Sequence, residues 1–269
     1  MSDQRDGALH PLEAARRLRA RWLGGETTFG GWTYFRDSFS IEVVARADVD
    51  WVCVDAQHGL ARAGDVVSLM QAVALTGKTS MVRVPWNEPG VIMNALDAGA
   101  SGVIVPMVGN AADARRAVDS CRYPPAGIRS WGPTRPALGE PAYTTAWANE
   151  RVLCIVMVET HEGVDNIEAI LGVPGIDAVF IGPSDLALSF GLERADAANH
   201  ARVAELQKAC AARGMPVGVA ANSIEDARRY ASSGFALVAL PSDAVLLGRA
   251  YTDFLQGSRS SGEPIARVR

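Results

Sequence analysis

Eight short runs rich in β-branched and apolar residues recur along this chain, and stretches of helical character separate them. The runs fall at 29–34 (FGGWTY), 51–55 (WVCVD), 80–84 (SMVRV), 102–106 (GVIVP), 152–158 (VLCIVMV), 177–181 (DAVFI), 216–220 (PVGVA) and 235–240 (FALVAL). Segments 64–76, 89–98, 110–121, 164–171, 196–213, 223–232 and 242–256 read as helices, with Gly and Pro at the joins. Regular strand–helix alternation predicts parallel βαβ units, because parallel neighbours need a long crossover. Eight such units in 269 residues match an α/β architecture, a closed (β/α)8 (TIM) barrel, which needs roughly 250 residues. An open doubly wound sheet is the second choice. No linker or low-complexity segment divides the chain, so 1–269 is expected to be one domain with an N-terminal helical extension at about 1–25.

In that extension Leu12, Ala15, Leu18 and Trp22 recur at helical spacing, which predicts a helix lying against the domain. Arg16, Arg17, Arg19 and Arg21 are expected to form its solvated face. The first residues lack the apolar core of a signal peptide and carry Asp3, Asp6 and Glu13. No apolar run is long enough to span a membrane. The net charge of −4 and the absence of a basic block argue against a nucleic-acid partner. Cys53, Cys121, Cys154 and Cys210 are scattered without a C-x-x-C pair, which predicts reduced, buried thiols in a cytoplasmic protein. Residues 123–150 hold five prolines, three glycines and two tryptophans. A loop of that length and composition is expected to be an active-site lid or a subunit contact.

The strand ends carry polar residues. The first run contains Trp32; the second ends in Asp55, Gln57 and His58; the third carries Arg83; the fifth ends in Glu159; the sixth leads through Gly182 and Ser184 to Asp185. A barrel gathers these ends on one face, where barrel enzymes build their sites. Glu159 and Asp185 are hard oxygen donors suited to Mg²⁺, Mn²⁺ or a similar ion. Arg83 offers a planar fork for an anion, His58 can accept or donate a proton, and the 182–184 turn can direct amides at an anion. Together they suit a 2-oxo acid and its enolate. Each also has a structural reading: Arg83 paired with Glu159 or Asp185, Glu159 or Asp185 capping a following helix, His58 held in a structural hydrogen bond, Trp32 as packing.

The segments VDWVCVDAQHG, VRVPWNEPGVIMNALDAGASGVIVPMV, CRYPPAGIRS, VMVET and VFIGPSDLALSFG, in order over about 25–250, resemble the HpcH/HpaI aldolases. The resemblance implies a metal-dependent (class II) pyruvate aldolase on the pyruvate/phosphoenolpyruvate type of (β/α)8 barrel, its last helix exchanged between subunits of a hexamer. It further implies Glu159 and Asp185 as metal ligands for Mg²⁺, Mn²⁺ or Co²⁺, and Arg83 as the contact to bound pyruvate. The amides around Gly182 and Ser184 would hold the pyruvate carboxylate. Asp55 would order metal-bound water, and Asp97 would pair with His58 of a neighbouring subunit. The family's proton acceptor is either that histidine or metal-bound water or hydroxide. Gln57 stands where many members of the family have Glu and Met157 where some have Gln, which bears on acceptor specificity. The expected reaction is reversible cleavage of a 4-hydroxy-2-oxo acid to pyruvate or hydroxypyruvate and an aldehyde. The rivals are a malyl-CoA/citryl-CoA-type thioester lyase and a non-catalytic barrel that binds metal or oxo acid.

Overall fold

In the computed structural model, which describes residues 9–260, eight parallel strands pair in sequence order and the eighth returns to the first. They are β1 (Thr28–Thr33), β2 (Trp51–Asp55), β3 (Thr79–Arg83), β4 (Gly102–Val105), β5 (Leu153–Val158), β6 (Ala178–Ile181), β7 (Val217–Ala220) and β8 (Leu237–Ala239). The helices are α1 (Pro11–Leu23), α2 (Ser38–Arg46), α3 (Val66–Ala74), α4 (Pro89–Asp97), α5 (Ala111–Cys121) and α6 (Thr145–Asn149). They continue as α7 (His161–Asp165), α8 (Ile167–Leu171), α9 (Pro183–Ser189), α10 (Ala197–Ala212), α11 (Ile224–Ser232) and α12 (Asp243–Ser260). The closed barrel is the expected one, and the open sheet is excluded.

Alternation along each strand sorts residues between two cores. Trp51, Cys53, Met81, Ile155, Met157 and Phe180 pack inside the barrel. Val52, Val54, Val82, Val156, Val158 and Val179 face outward against the helices. Continuing the inward parity past each strand's apolar part leads to Asp55, Arg83, Glu159 and Gly182. The same period of two that builds the core therefore delivers these four positions to the barrel mouth.

The N-terminal end is closed by α1. Ala15, Leu18 and Trp22 join the interior cluster, and the indoles of Trp22 and Trp51 both donate to Thr28 Oγ1 at 2.9 and 3.1 Å. The expected solvated arginine face is only partly solvated. Arg17 is exposed, but Arg19 pairs with buried Asp177 at 3.0 Å and Arg21 with Asp50 and Glu26 at 2.8 and 2.6 Å. A helix that plugs a barrel, rather than lying along it, meets the rim with its flanks, and the rim supplies carboxylates.

Two helices escape the sequence pattern. In α2 only Ile41 and Ala45 are buried, so no long apolar stripe marks it; Asp37 caps it by accepting from Ser40 N at 2.8 Å. The predicted helix 164–171 is broken at Asn166 into α7 and α8. Residues 123–150 connect a helix to the next strand, so they lie at the N-terminal end, opposite the strand termini. There His10 Nε2 meets Pro136 O at 2.9 Å, and Tyr123, Trp131, Tyr143 and Trp147 stack in succession with centroids 5.3 to 6.0 Å apart. A segment on that face cannot roof its own chain's strand ends, which removes the lid alternative. α12 leaves Leu247, Tyr251, Phe254 and Leu255 exposed.

Candidate active site

A cleft of about 200 Å³ opens at the C-terminal ends of the strands and is lined by Trp32, His58, Arg83, Glu159, Ser184 and Asp185, among others. Its organising element is Asp55. The β2–β3 register sets Asp55 directly beside Arg83, and the carboxylate is completely buried. Its Oδ1 accepts from Arg83 Nε at 3.0 Å and from the backbone N–H groups of Gln57 and His58 at 3.0 and 3.1 Å. Its Oδ2 accepts from Arg83 Nη2 and, at 3.0 Å, from Trp32 Nε1. Burial works to raise this carboxyl's pKa, but Arg83 and Trp32 outweigh it and hold it below the ordinary carboxylate value. Gly59 lets the chain turn back over this pair, since a Cβ there would lie 2.2 Å from Asp55 O.

Two edges of the Arg83 fork are thus committed. Nη1 has only the thioether of Met157, at 4.0 Å, a weak acceptor. The guanidinium lies 5.1 Å from the Trp32 ring centroid, which fixes its plane. The result is a locked cation with one donor group turned into the cleft.

Glu159 is almost wholly buried. Thr160, not Glu159, caps α7, accepting from Gly163 N at 3.1 Å. Glu159 is therefore free of capping duty, and Arg83 pairs with neither cleft carboxylate. Asp185 lies in the first turn of α9, whose N-cap is Gly182. Glu159 Oε1 accepts from Met107 N at 2.9 Å. Met107 adopts φ 58° to make that contact, a left-handed conformation that costs an L residue roughly 1–2 kcal/mol. Gly182 is needed beneath it: a Cβ would fall 2.3 Å from Glu159 Oε2. Burial, helped by the adjacent charge of Asp185, pushes the Glu159 carboxyl up to about 7. Two apposed carboxylates, one desolvated, make a site short of positive charge. A hard divalent cation suits this donor set. Among the described residues no group of three or more His, Cys, Asp or Glu could hold a metal ion.

A profile of the family described as HpcH/HpaI aldolase/citrate lyase matches residues 30–250. The chain belongs to this family. The hydroxypyruvate/pyruvate aldolase of Rhizorhabdus wittichii is 36% identical over 91% of this chain and 99% of its own length. That of Roseovarius nubinhibens is 39% identical over 86% and 92%. A crystal structure of an HpcH/HpaI aldolase/citrate lyase family protein from Burkholderia cenocepacia J2315 superposes with a TM-score of 0.86 at 33% identity, covering 91% of this chain and 99% of that one.

This HpcH/HpaI member brings eight of its sequence-predicted site residues to one end of the barrel: Trp32, Asp55, His58, Arg83, Glu159, Gly182, Ser184 and Asp185. Asp97 is elsewhere. It ends α4, on the face opposite the strand termini, and pairs with buried Arg129 at 2.7 Å. Three contributors escaped sequence reasoning. Met107 has no sequence signal, because an unfavourable φ leaves none. Asp243 accepts from Tyr34 N and Phe35 N at 2.8 and 3.2 Å, tying the end of β1 to α12. Arg194 lines the cleft from the loop before α10.

Proposed function

We propose that this carbon–carbon lyase reversibly cleaves a 4-hydroxy-2-oxo acid to pyruvate or hydroxypyruvate and an aldehyde, with a divalent cation (Mg²⁺, Mn²⁺ or Co²⁺) held by Glu159 and Asp185. The observation that carries the reading is the Arg83 fork: locked on Asp55 and Trp32, it keeps Nη1 for an oxygen that gains negative charge during reaction. Bound between the two carboxylates, the cation would supply Lewis acidity toward the keto and carboxylate oxygens of the oxo acid. Arg83 Nη1 donates to the keto oxygen as it becomes an enolate. Gly182 N–H is committed to Val158 O at 3.3 Å, and Pro183 has no N–H. The oxo-acid carboxylate therefore falls to the first-turn N–H groups of Ser184 and Asp185, which have no intrahelical partner. Asp55, with every accessible lone pair taken, positions Arg83 rather than a water. His58, on the cleft wall, moves the proton of the aldehyde-derived hydroxyl. The Met157 thioether near Arg83 leaves that guanidinium to the substrate.

The assembly belongs to the same reading. Asp97 and His58 occupy opposite ends of one barrel, so only a second copy can bring them together. Exposed Tyr251, Phe254 and Leu255 suit α12 to a neighbouring subunit. A hexamer of paired subunits is expected by light scattering, and a fully active monomer would sink it. Buried, unpaired cysteines suit a cytoplasmic setting, and no helix among the described residues is long and apolar enough to cross a membrane.

The deciding experiment needs no aldehyde. Incubated with pyruvate and Mg²⁺ or Mn²⁺ in D₂O, the enzyme should exchange the methyl protons, read by NMR. Arg83→Ala should slow exchange by about 10²–10³-fold. His58→Ala should impair cleavage; exchange that persists there assigns enolisation to a solvent-derived base, and exchange that stops puts His58 on that step. A thioester lyase would exchange acetyl-CoA instead, and a binding barrel neither. No exchange with pyruvate or hydroxypyruvate in a folded, metal-loaded sample overturns the aldolase proposal.

A further inference from the structure

The cleft contains a second guanidinium, which the reaction above does not use. Arg194 lies in the loop between α9 and α10, and its side chain reaches back over the sixth strand end. Nη1 donates to Ser184 Oγ at 3.0 Å and Nη2 to Ala220 O at 2.6 Å. Both acceptors are neutral. The loop is pinned from beneath: Asn199, fully buried, donates to Arg194 O at 3.0 Å and to Pro183 O at 3.1 Å. Arg194 is thus a built part of the cleft wall and not a surface arginine lying across it.

Its charge is what stands out. Arg83 and Arg122, both buried, pair with Asp55 and Asp177, and Arg129 pairs with Asp97. Arg194 is half-buried, yet among the described residues it forms no ion pair. Of the acidic neighbours in sequence, Asp196 accepts from the backbone Glu193 N at 2.7 Å, and neither Glu193 nor Asp196 forms an ion pair with Arg194 among the described residues. Asp226 is occupied by Arg229 at 2.6 Å. Burial pulls Arg194 below the ordinary arginine pKa, with Tyr230 and Asp226 offsetting this only in part. A desolvated guanidinium with neutral partners keeps most of its five N–H donors for an anion that approaches from the cleft.

Position narrows which part of the substrate that anion belongs to. Arg194 is bonded to the side chain of Ser184, the residue before the proposed metal ligand Asp185, and lines the same cleft. That cleft is also lined by Ala220, Ala221, Asn222, Leu240, Pro241, Ser242 and Val245. The oxo acid's own carboxylate already has the Ser184 and Asp185 amides.

We propose that Arg194 anchors an anionic group, a carboxylate or a phosphate, at the far end of the aldehyde half of the substrate, so that the enzyme selects acidic aldehydes over neutral ones. This rests on the aldolase reading of the same cleft. Arg194 is then a specificity-determining residue, and its effect belongs to the aldehyde's KM.

The test is aldol addition of pyruvate, with Mn²⁺, to two matched pairs: succinic semialdehyde against its methyl ester, and glyceraldehyde 3-phosphate against glyceraldehyde. The wild type should favour the anion in at least one pair by about 10–100-fold in kcat/KM, mostly through KM, as expected for a charge-assisted contact. The pair that shows it identifies the anion as carboxylate or phosphate. Arg194→Gln should erase the preference and Arg194→Lys restore part of it, with the loss in aldehyde KM rather than in pyruvate exchange in D₂O. Exchange that collapses in a folded Arg194→Gln would assign the residue to the donor carboxylate and overturn the proposal. A wild type that exchanges pyruvate protons but treats both pairs alike would overturn it too, and needs no variant to fold. A wild type that exchanges nothing would instead fail the aldolase reading itself.

Discussion

The two ends of this barrel use the same charged groups in opposite balance. At the N-terminal end Asp177 forms an ion pair with Arg19 at 3.0 Å and accepts from Arg122 at 3.0 Å and from Cys154 N at 2.7 Å. At the C-terminal end Glu159 has one backbone N–H and faces Asp185, while Arg83 Nη1 and Arg194 lack carboxylate partners. One end spends its ionic groups on each other. The other keeps them for something that arrives from outside. A carboxylate that is desolvated and unpaired weakens the metal-free fold but binds what neutralises it; a saturated one does the reverse.

This contrast can be broken most sharply at the cleft. Glu159→Ala or Asp185→Ala should lower kcat/KM by about 10³-fold or more, because several kcal/mol of charge stabilisation are removed. Metal binding by calorimetry should be lost and thermal stability kept. Chelation should do the same to the wild type, reversed by Mg²⁺, Mn²⁺ or Co²⁺. Full activity in excess chelator would remove the metal from the account.

The N-terminal end should respond in stability and not in turnover. Asp177→Asn leaves the buried Arg122 without its counter-charge, which should cost about 3–5 kcal/mol in urea unfolding. kcat should stay within about twofold of wild type in protein that remains folded. A stability loss below about 1 kcal/mol would mean that Arg122 finds enough compensation in the carbonyls of Val152 and Gly175.

The smallest effect has the opposite sign. The Glu159 carboxyl titrates at about 7 in the fold against 4.5 as a free group, so ionising it opposes folding. That cost is absent below about pH 4.5, grows between there and 7, and is complete above it. Glu159→Gln should therefore stabilise the metal-free protein at pH 8 by on the order of 1–3 kcal/mol, and the gain should vanish near pH 4. The same variant should lose metal binding. A destabilised Glu159→Gln at pH 8 would show that the buried carboxylate is already satisfied and that the two ends do not differ as described.

Much of this was legible from the residues. The strand runs, their number and the polar ends are local properties, and local spacing expresses them. Adding parity would have gone further: Leu153, Ile155, Met157 and Glu159 share one face of β5, which separates Glu159 from its neighbour Thr160, the actual cap. Composition alone could not choose at 123–150, where prolines and tryptophans read as a lid or a subunit contact. Its place between a helix and the next strand puts it at the wrong end of the barrel for a lid. The short α2 was missed because only Ile41 and Ala45 are buried in it, so no apolar period appears.

What the sequence determined by itself is the barrel, the set of polar residues at its mouth and the chemistry they suit, because a period of two and an order of eight are written along the chain. What only the tertiary structure decided is which charges meet. Arg83 chooses Asp55 over Glu159 because the β2–β3 register sets those two side by side. Asp97 is turned away from His58 because helix ends and strand ends face opposite ways in a parallel barrel. Arg194, one more arginine in an acidic loop, becomes part of the cleft because Asn199 ties its backbone to Pro183. Pairing energies depend on distance and burial, and neither is a property of sequence neighbours.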